Sequence, residues 1–184
     1  MEKIASFTID HDILTPGMYL SRVDGDITTY DFRFVTPNRP PYLPNPVMHT
    51  IEHLFATLAR NEEGLKERVI YFGPMGCRTG FYFLVRNSCH EEVIAFTRRA
   101  MQAIAHWDGV IPGAQLSKEC GNYQEHDLQG AREWAAAFEK VLKTGCRKIL
   151  FIRRNQRNKE ESSIRRWSFY FCPHLLLTVL RSST

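Results

Sequence analysis

Prolines at 37, 40, 41, 44 and 46 constrain this chain more than any other feature. Each ring fixes φ and removes a backbone donor, so the segment 37–45 can be neither helix nor central strand. It must be a stiff connector, and it separates two patterns of different period. Before it, 26–35 (DITTYDFRFV) alternates, with Tyr30, Phe32 and Phe34 on one side and Thr29, Asp31 and Arg33 on the other. A period of two predicts a half-buried strand with its polar side in water. After it, Val47, Met48, Ile51, Leu54, Phe55 and Leu58 recur every three or four residues. That spacing predicts a helix over 47–60, with Pro46 in its first turn and Asn61 and Gly64 as stops.

The same reading continues downstream. Short apolar strands are expected at 69–72 and 81–85, joined by the loop Gly73-Pro74-Met75-Gly76-Cys77-Arg78-Thr79-Gly80. A second helix is expected over 91–105, where Glu91 and Glu92 suit the positive end of the helix dipole. The segment 111–123 reads as irregular. A third helix is expected over 128–144, with Leu128, Ala131, Ala135, Phe138 and Leu142 along one side, Asp127 as N-cap and Gly145 just past the end. Strands pair locally and helices intervene without a βαβ rhythm. The expected class is α+β, an antiparallel sheet with helices packed on one face.

At 184 residues the chain suits one domain. An apolar fraction of 43% and a charged fraction of 24% exclude a wholly disordered chain, a collagen and a coiled coil. The longest stretch without charge, 167–180, falls short of the about 20 residues a spanning helix needs, so no membrane span is expected. The first residues contain no apolar export segment, and the five cysteines form no C-x-x-C pair, so reduced thiols and a cytoplasmic location are expected. Charge is uneven: 1–146 hold 15 Lys and Arg against 18 Asp and Glu, a net of −3, whereas 147–184 hold 9 against 2, a net of +7. The first 146 residues therefore offer no nucleic-acid surface. The boundary is expected at 145, with a catalytic domain over 1–145 and a basic, then apolar, tail over 146–184. A chain ending at Gly145 is expected to fold.

The first chemical signal is His49-Thr50-Ile51-Glu52-His53. On a helix, residues i and i+4 share a face, so His49 and His53 can present two imidazoles to one metal ion. Glu52 points nearly the same way and can move protons beside the metal. Two ordinary helix histidines, one buried and one solvated, fit the spacing equally well. The pattern also resembles the inverted zinc-protease signature. A metal needs a third ligand, to be drawn from Cys77, Cys89, Cys120, Cys146, Cys172, His90, His106, His126, His174 and the carboxylates. Cys120 is the best of these because it sits in the irregular segment. Two histidines and a cysteine with an open fourth position make a catalytic rather than a structural site. Cys120 as a small buried hydrophobe is the competing reading. Cys77 is the second signal, since a glycine-rich turn and the adjoining Arg78 favour a thiolate. Ser6, His11 and Arg33 are individually bland, read as a turn serine, a surface histidine and a solvated arginine. Together they would suit a polyhydroxylated or carboxylate-bearing substrate.

Taken together, the motifs resemble S-ribosylhomocysteine lyase, the LuxS family of bacteria. The matching pieces are Ser6-Phe7 with Asp10-His11, Phe32-Arg33-Phe34, His49-Thr50-Ile51-Glu52-His53, the run from Pro74 to Tyr82, and Glu119-Cys120-Gly121 followed by His126-Asp127-Leu128. The resemblance covers roughly 4–144. It implies a metal held by His49, His53 and Cys120, with Cys77 and Glu52 as proton-transfer residues and Ser6, His11 and Arg33 in contact with substrate. It also implies iron(II), replaceable by zinc or cobalt, and a homodimer with active sites at the subunit interface. The implied reaction cleaves S-ribosylhomocysteine to homocysteine and 4,5-dihydroxy-2,3-pentanedione, the precursor of the quorum-sensing signal autoinducer-2, in methionine and methyl-group recycling. Two other readings compete. An inverted zinc peptidase would need a third, acidic ligand on a later helix and no role for Cys77. A non-catalytic, metal-stabilised binding module would need a closed site of four ligands.

Overall fold

The computed structural model describes residues 9–144, together with the backbone of Leu150 and Phe151. The elements run β1 (Gly17–Asp24), β2 (Ile27–Arg33), α1 (Asn45–Asn61), β3 (Val69–Pro74), β4 (Gly80–Arg86), α2 (His90–Ala105), α3 (Leu128–Thr144) and β5 (Leu150–Phe151). The sheet order is β3-β4-β2-β1-β5. The first four strands pair antiparallel, and β5 adds in parallel at the β1 edge, Tyr19 opposite Leu150 and Leu20 opposite Phe151.

The α+β class is as expected, and every helix inferred from period is present. The alternating residues Tyr30 and Phe32 of β2, and Phe81 and Phe83 of β4, face the helices and are fully buried. Phe32 meets Phe55 of α1 and Phe138 of α3, and Phe83 meets Phe96 of α2, with ring centroids 5.7, 6.0 and 6.3 Å apart. One aromatic layer therefore ties all three helices to the same face of the sheet, and burial of such rings supplies most of the fold's driving force. The α3 start is capped as inferred, since the Gly130 N–H donates to Asp127 Oδ1 at 2.8 Å.

Strand β1 was not legible from period. Its register shifts between Leu20 and Arg22, and Gly17, Met18 and Tyr19 are buried in succession, so no alternation marks it.

The polar side of β2 departs from expectation. Asp31 and Arg33 are buried, at 0% and 1% exposure, where a solvated face was inferred. The residues opposite Arg33 on both neighbouring strands are glycines, Gly17 and Gly80. They leave the arginine room to lie against the sheet, while Tyr19 and Tyr82 stand opposite Asp31. Gly80 is required by contact, because a Cβ there would lie 1.8 Å from the Phe32 carbonyl oxygen.

Candidate metal centre and active site

Helix α1 turns Val47, Met48, Ile51, Leu54 and Phe55 into the core, which leaves His49, Glu52 and His53 along its flank. The two imidazoles stand one turn apart, ring centroids 4.6 Å and planes at 85°. Each has one nitrogen committed to a backbone carbonyl of the irregular segment before α3. His49 Nδ1 lies 2.9 Å from the Glu125 oxygen, and His53 Nδ1 lies 2.7 Å from the Pro112 oxygen. A carbonyl can only accept, so each Nδ1 carries the proton and each Nε2 presents a lone pair. Carbonyl-anchored imidazoles of this kind are the usual support for metal-ligating histidines. Gly113 adopts φ +73, and a Cβ there would stand 3.3 Å from His53 Nδ1, so that turn needs glycine.

The irregular segment also delivers Cys120, whose Sγ lies 3.3 Å from His49 Nε2. A fourth residue joins them. His49, His53, Cys120 and His126 each place one ligand atom within 4.8 Å of all the others. Thr50 positions His126: its hydroxyl donates to the Pro46 oxygen at 2.8 Å and accepts the Asp127 N–H at 2.9 Å. His126 Nδ1, 3.2 Å from that oxygen, must then donate to it, which leaves a lone pair on Nε2. Nε2 is buried and has no hydrogen-bond partner. Burial, with His49 and His53 alongside, pushes the His126 imidazole down to about 4. The sequence offered His126 only as one of many candidates. Its place depends on Thr50 locking the start of α3 onto α1, which no local pattern announces.

His49, His53 and Cys120, the ligand set that the resemblance implied, thus lie in one group with His126 that could hold a metal ion. The donors fit a divalent transition metal, since imidazole and thiolate suit iron(II), zinc and cobalt. Glu52 lies between two open hollows of about 260 and 490 Å³. His49 and Glu52 border both; Met48 and Pro74 border the first, Phe72 and Pro112 the second. Burial raises the Glu52 carboxyl above its ordinary range, against the pull of His49 and His53.

Cys77 sits in the β3–β4 hairpin loop and is exposed. It borders neither hollow, although Pro74 of the same hairpin does. The sequence assigned its activation to Arg78. That residue instead takes φ +57 and lies over the Tyr42 ring, 5.9 Å from its centroid. The hydrogen-bond chain that reaches Cys77 starts instead at Arg33. Arg33 Nε donates to Asp31 Oδ1 at 2.9 Å and Nη2 to Asp31 Oδ2, while Nη1 donates to Thr79 Oγ1 at 2.6 Å. Thr79 Oγ1 in turn lies 3.0 Å from Cys77 Sγ. The Asp31 ion pair holds the guanidinium charged more firmly than in solution, although burial opposes it. His11 is half-buried, holds the Ile9 oxygen at 3.1 Å and acts on Asp31 from the N-terminal side. Ser6 lies outside the described residues.

Fold and site together define a metal-binding α+β enzyme: a sheet backed by helices, with three histidines and a cysteine converging beside a carboxylate. Residues 4–149 match the family model described as S-ribosylhomocysteinase (LuxS). The chain is 44% identical over 147 residues to the S-ribosylhomocysteine lyase of Clostridium acetobutylicum, covering 77% of this chain and 92% of that protein. It is 45% identical over 147 residues to the enzyme of the same name from Borreliella afzelii, covering 77% and 93%. Against the one from Desulfotalea psychrophila it is 43% identical over 143 residues, covering 75% and 89%. The chain belongs to the S-ribosylhomocysteinase (LuxS) family, and as a member it is a carbon–sulfur lyase. Among the described residues no helix is long and apolar enough to cross a membrane.

Proposed function

We propose that this chain cleaves the thioether of S-ribosylhomocysteine, releasing homocysteine and 4,5-dihydroxy-2,3-pentanedione, the precursor of autoinducer-2. The observation that carries this reading is the convergence of His49, His53 and Cys120 beside Glu52 in a member of the family. A thioether leaves poorly from a sugar unless a carbonyl stands two carbons away. The chain therefore has to move the carbonyl along the ribose before it breaks the bond.

His49, His53 and Cys120 hold the metal, iron(II) with zinc or cobalt as substitutes, which when bound polarises the sugar's carbonyl and hydroxyl oxygens as a Lewis acid. Cys77, as thiolate, removes the proton from the carbon beside the carbonyl and returns it one carbon along. Glu52 carries protons between the two oxygens of each shift. After two such shifts Cys77 takes the proton next to the carbonyl, the carbon–sulfur bond breaks and Glu52 protonates the departing sulfur; the enol left behind becomes the methyl ketone as Cys77 returns its proton to the terminal carbon and Glu52 takes the hydroxyl proton. Ser6, His11 and Arg33 contact the substrate; that His11 and Arg33 both act on Asp31 supports their grouping.

The protein works as a homodimer with the active sites at the interface. The openness of the hollows beside His49 supports this, because proton shifts on a sugar need a site closed to water. A cytoplasmic setting goes with thiols that must stay reduced, and Cys77 and Cys120 are free. The inverted peptidase is disfavoured, because the ligand group among the described residues gains a histidine and no carboxylate. The test is thiol release from S-ribosylhomocysteine with a thiol reagent, and trapping of the dicarbonyl product with an aromatic diamine. Both products in equal amounts support the reading. A peptidase or a binding module gives neither.

A further inference from the structure

We propose that Thr79 is a positioning residue for Cys77: its hydroxyl, held by buried Arg33, is the hydrogen-bond donor that favours the thiolate. The inference rests on Cys77 being the proton-transfer group and goes beyond it by assigning what sets its protonation.

Thr79 is fixed at both ends. It is 3% exposed, and its carbonyl accepts the Phe34 N–H at 2.9 Å and the Val35 N–H at 3.3 Å, so the residue is sewn to the chain leaving β2. Its hydroxyl oxygen faces three groups. Arg33 Nη1 lies 2.6 Å away and can only donate, since a guanidinium has no acceptor. One lone pair of Oγ1 is thereby taken. The hydroxyl proton then has two destinations, Cys77 Sγ at 3.0 Å and Met75 Sδ at 4.0 Å. With a neutral thiol, Oγ1 either accepts the S–H and leaves its own proton to the distant thioether, or gives its proton to an uncharged sulfur while the exposed S–H turns to solvent. With a thiolate, the hydroxyl swings its proton onto Sγ and the weak contact is released. The bond to the thiolate is the stronger of these, because hydrogen bonds to a charged acceptor are the stronger kind, so the hydroxyl favours the charged form.

The neighbours set the same preference. Arg33 stands behind Thr79, and the Asp31 carboxylate keeps that guanidinium charged and in place. Tyr82 of β4 faces both Arg33 and Cys77; burial raises its phenol, so it remains neutral beside the thiolate. Arg78 of the loop itself lies over Tyr42. His11 acts on Asp31. Arg33 therefore reaches Cys77 through the threonine hydroxyl, which is a directional link.

The test uses the full chain with its metal, so that Cys120 is occupied. Iodoacetamide alkylation of the Cys77 peptide is followed by mass spectrometry from pH 5 to 9, in the native protein and in Thr79→Val, Thr79→Ala and Thr79→Ser. The valine variant keeps the shape and loses the hydroxyl; the alanine variant serves if the valine variant does not fold. Loss of one hydrogen bond to the sulfur is expected to slow alkylation near pH 6 by about tenfold, with recovery at high pH. Thr79→Ser is expected to restore the native profile. An unchanged profile in the variants lacking the hydroxyl overturns the proposal, and so does a serine variant as slow as they are. Turnover of S-ribosylhomocysteine by the same samples judges the role of Cys77 separately, because the alkylation profile does not depend on it.

Discussion

The imidazole of His126 stacks on that of His49, ring centroids 4.1 Å apart and planes 21° from parallel. An ion in the plane of one ring therefore lies off the plane of the other, so the two lone pairs cannot both meet it squarely. His49 and His53, at 85°, have no such conflict. This distinguishes a group of three histidines and a cysteine from a closed structural site and leaves His126 as a buried acceptor beside the metal ligands. His49→Ala, His53→Ala and Cys120→Ala are each expected to lose the ion on gel filtration. His126→Ala is expected to keep one ion per chain while binding it about 10–100-fold less tightly, as for other residues just outside the ligands. Metal analysis and competition with a chelator read both; equal retention in all four variants contradicts the assignment.

Cys77→Ala and Glu52→Gln are expected to keep the metal and the fold but to lose turnover by about 10²–10⁴-fold, the usual contribution of a positioned proton-transfer group. Steady-state thiol release with metal content measured in parallel checks this. A loss below threefold in either variant removes that residue from the mechanism.

Asp31→Asn leaves Arg33, 1% exposed, without its counter-charge. Breaking a buried pair from one side typically costs about 3–5 kcal/mol. The variant is expected to unfold at a clearly lower urea concentration, with turnover also reduced because Arg33 no longer holds Thr79. A midpoint within error of the native protein contradicts the pairing.

The elements that period could reveal were legible. The alternation of Tyr30 and Phe32 and the spacing of Val47, Ile51, Leu54 and Phe55 each reflect one local rule applied along one segment. The pair His49 and His53 was legible for the same reason, as helical spacing is local. What stayed hidden depends on distant segments meeting. Arg33 reads as solvated until Gly17 and Gly80 flank it from two other strands. Arg78 adjoins Cys77 in sequence, yet the hydrogen-bond chain that ends at the sulfur runs from Arg33 by way of Thr79. His126 joins the metal group only because Thr50 binds the start of α3. Strand β1 escaped because a register shift erased its alternation.

The boundary drawn at 145 leaves out the residues that β1 pairs with. The family match runs to 149, and Leu150 and Phe151 lie opposite Tyr19 and Leu20. We propose that the catalytic domain reaches Phe151 and that the remaining residues are dispensable. A chain ending at Phe151 is expected to fold and to turn over within a few-fold of the full length. One ending at Gly145 bares the β1 edge, and unpaired edges promote association. Its thermal midpoint is expected to fall, and it is expected to aggregate at concentrations where the longer chain does not. Equal stability of the two would favour the boundary at 145 over one at 151.

The most direct measurement is thiol release from S-ribosylhomocysteine by the full chain as isolated, after removal of its metal, and after reloading with iron(II) or cobalt(II). The account predicts one homocysteine thiol per substrate consumed, loss of the activity on stripping, recovery on reloading, and no recovery when Cys77→Ala is reloaded. Thiol release that is unaffected by stripping, or none from the metal-replete chain, would contradict it.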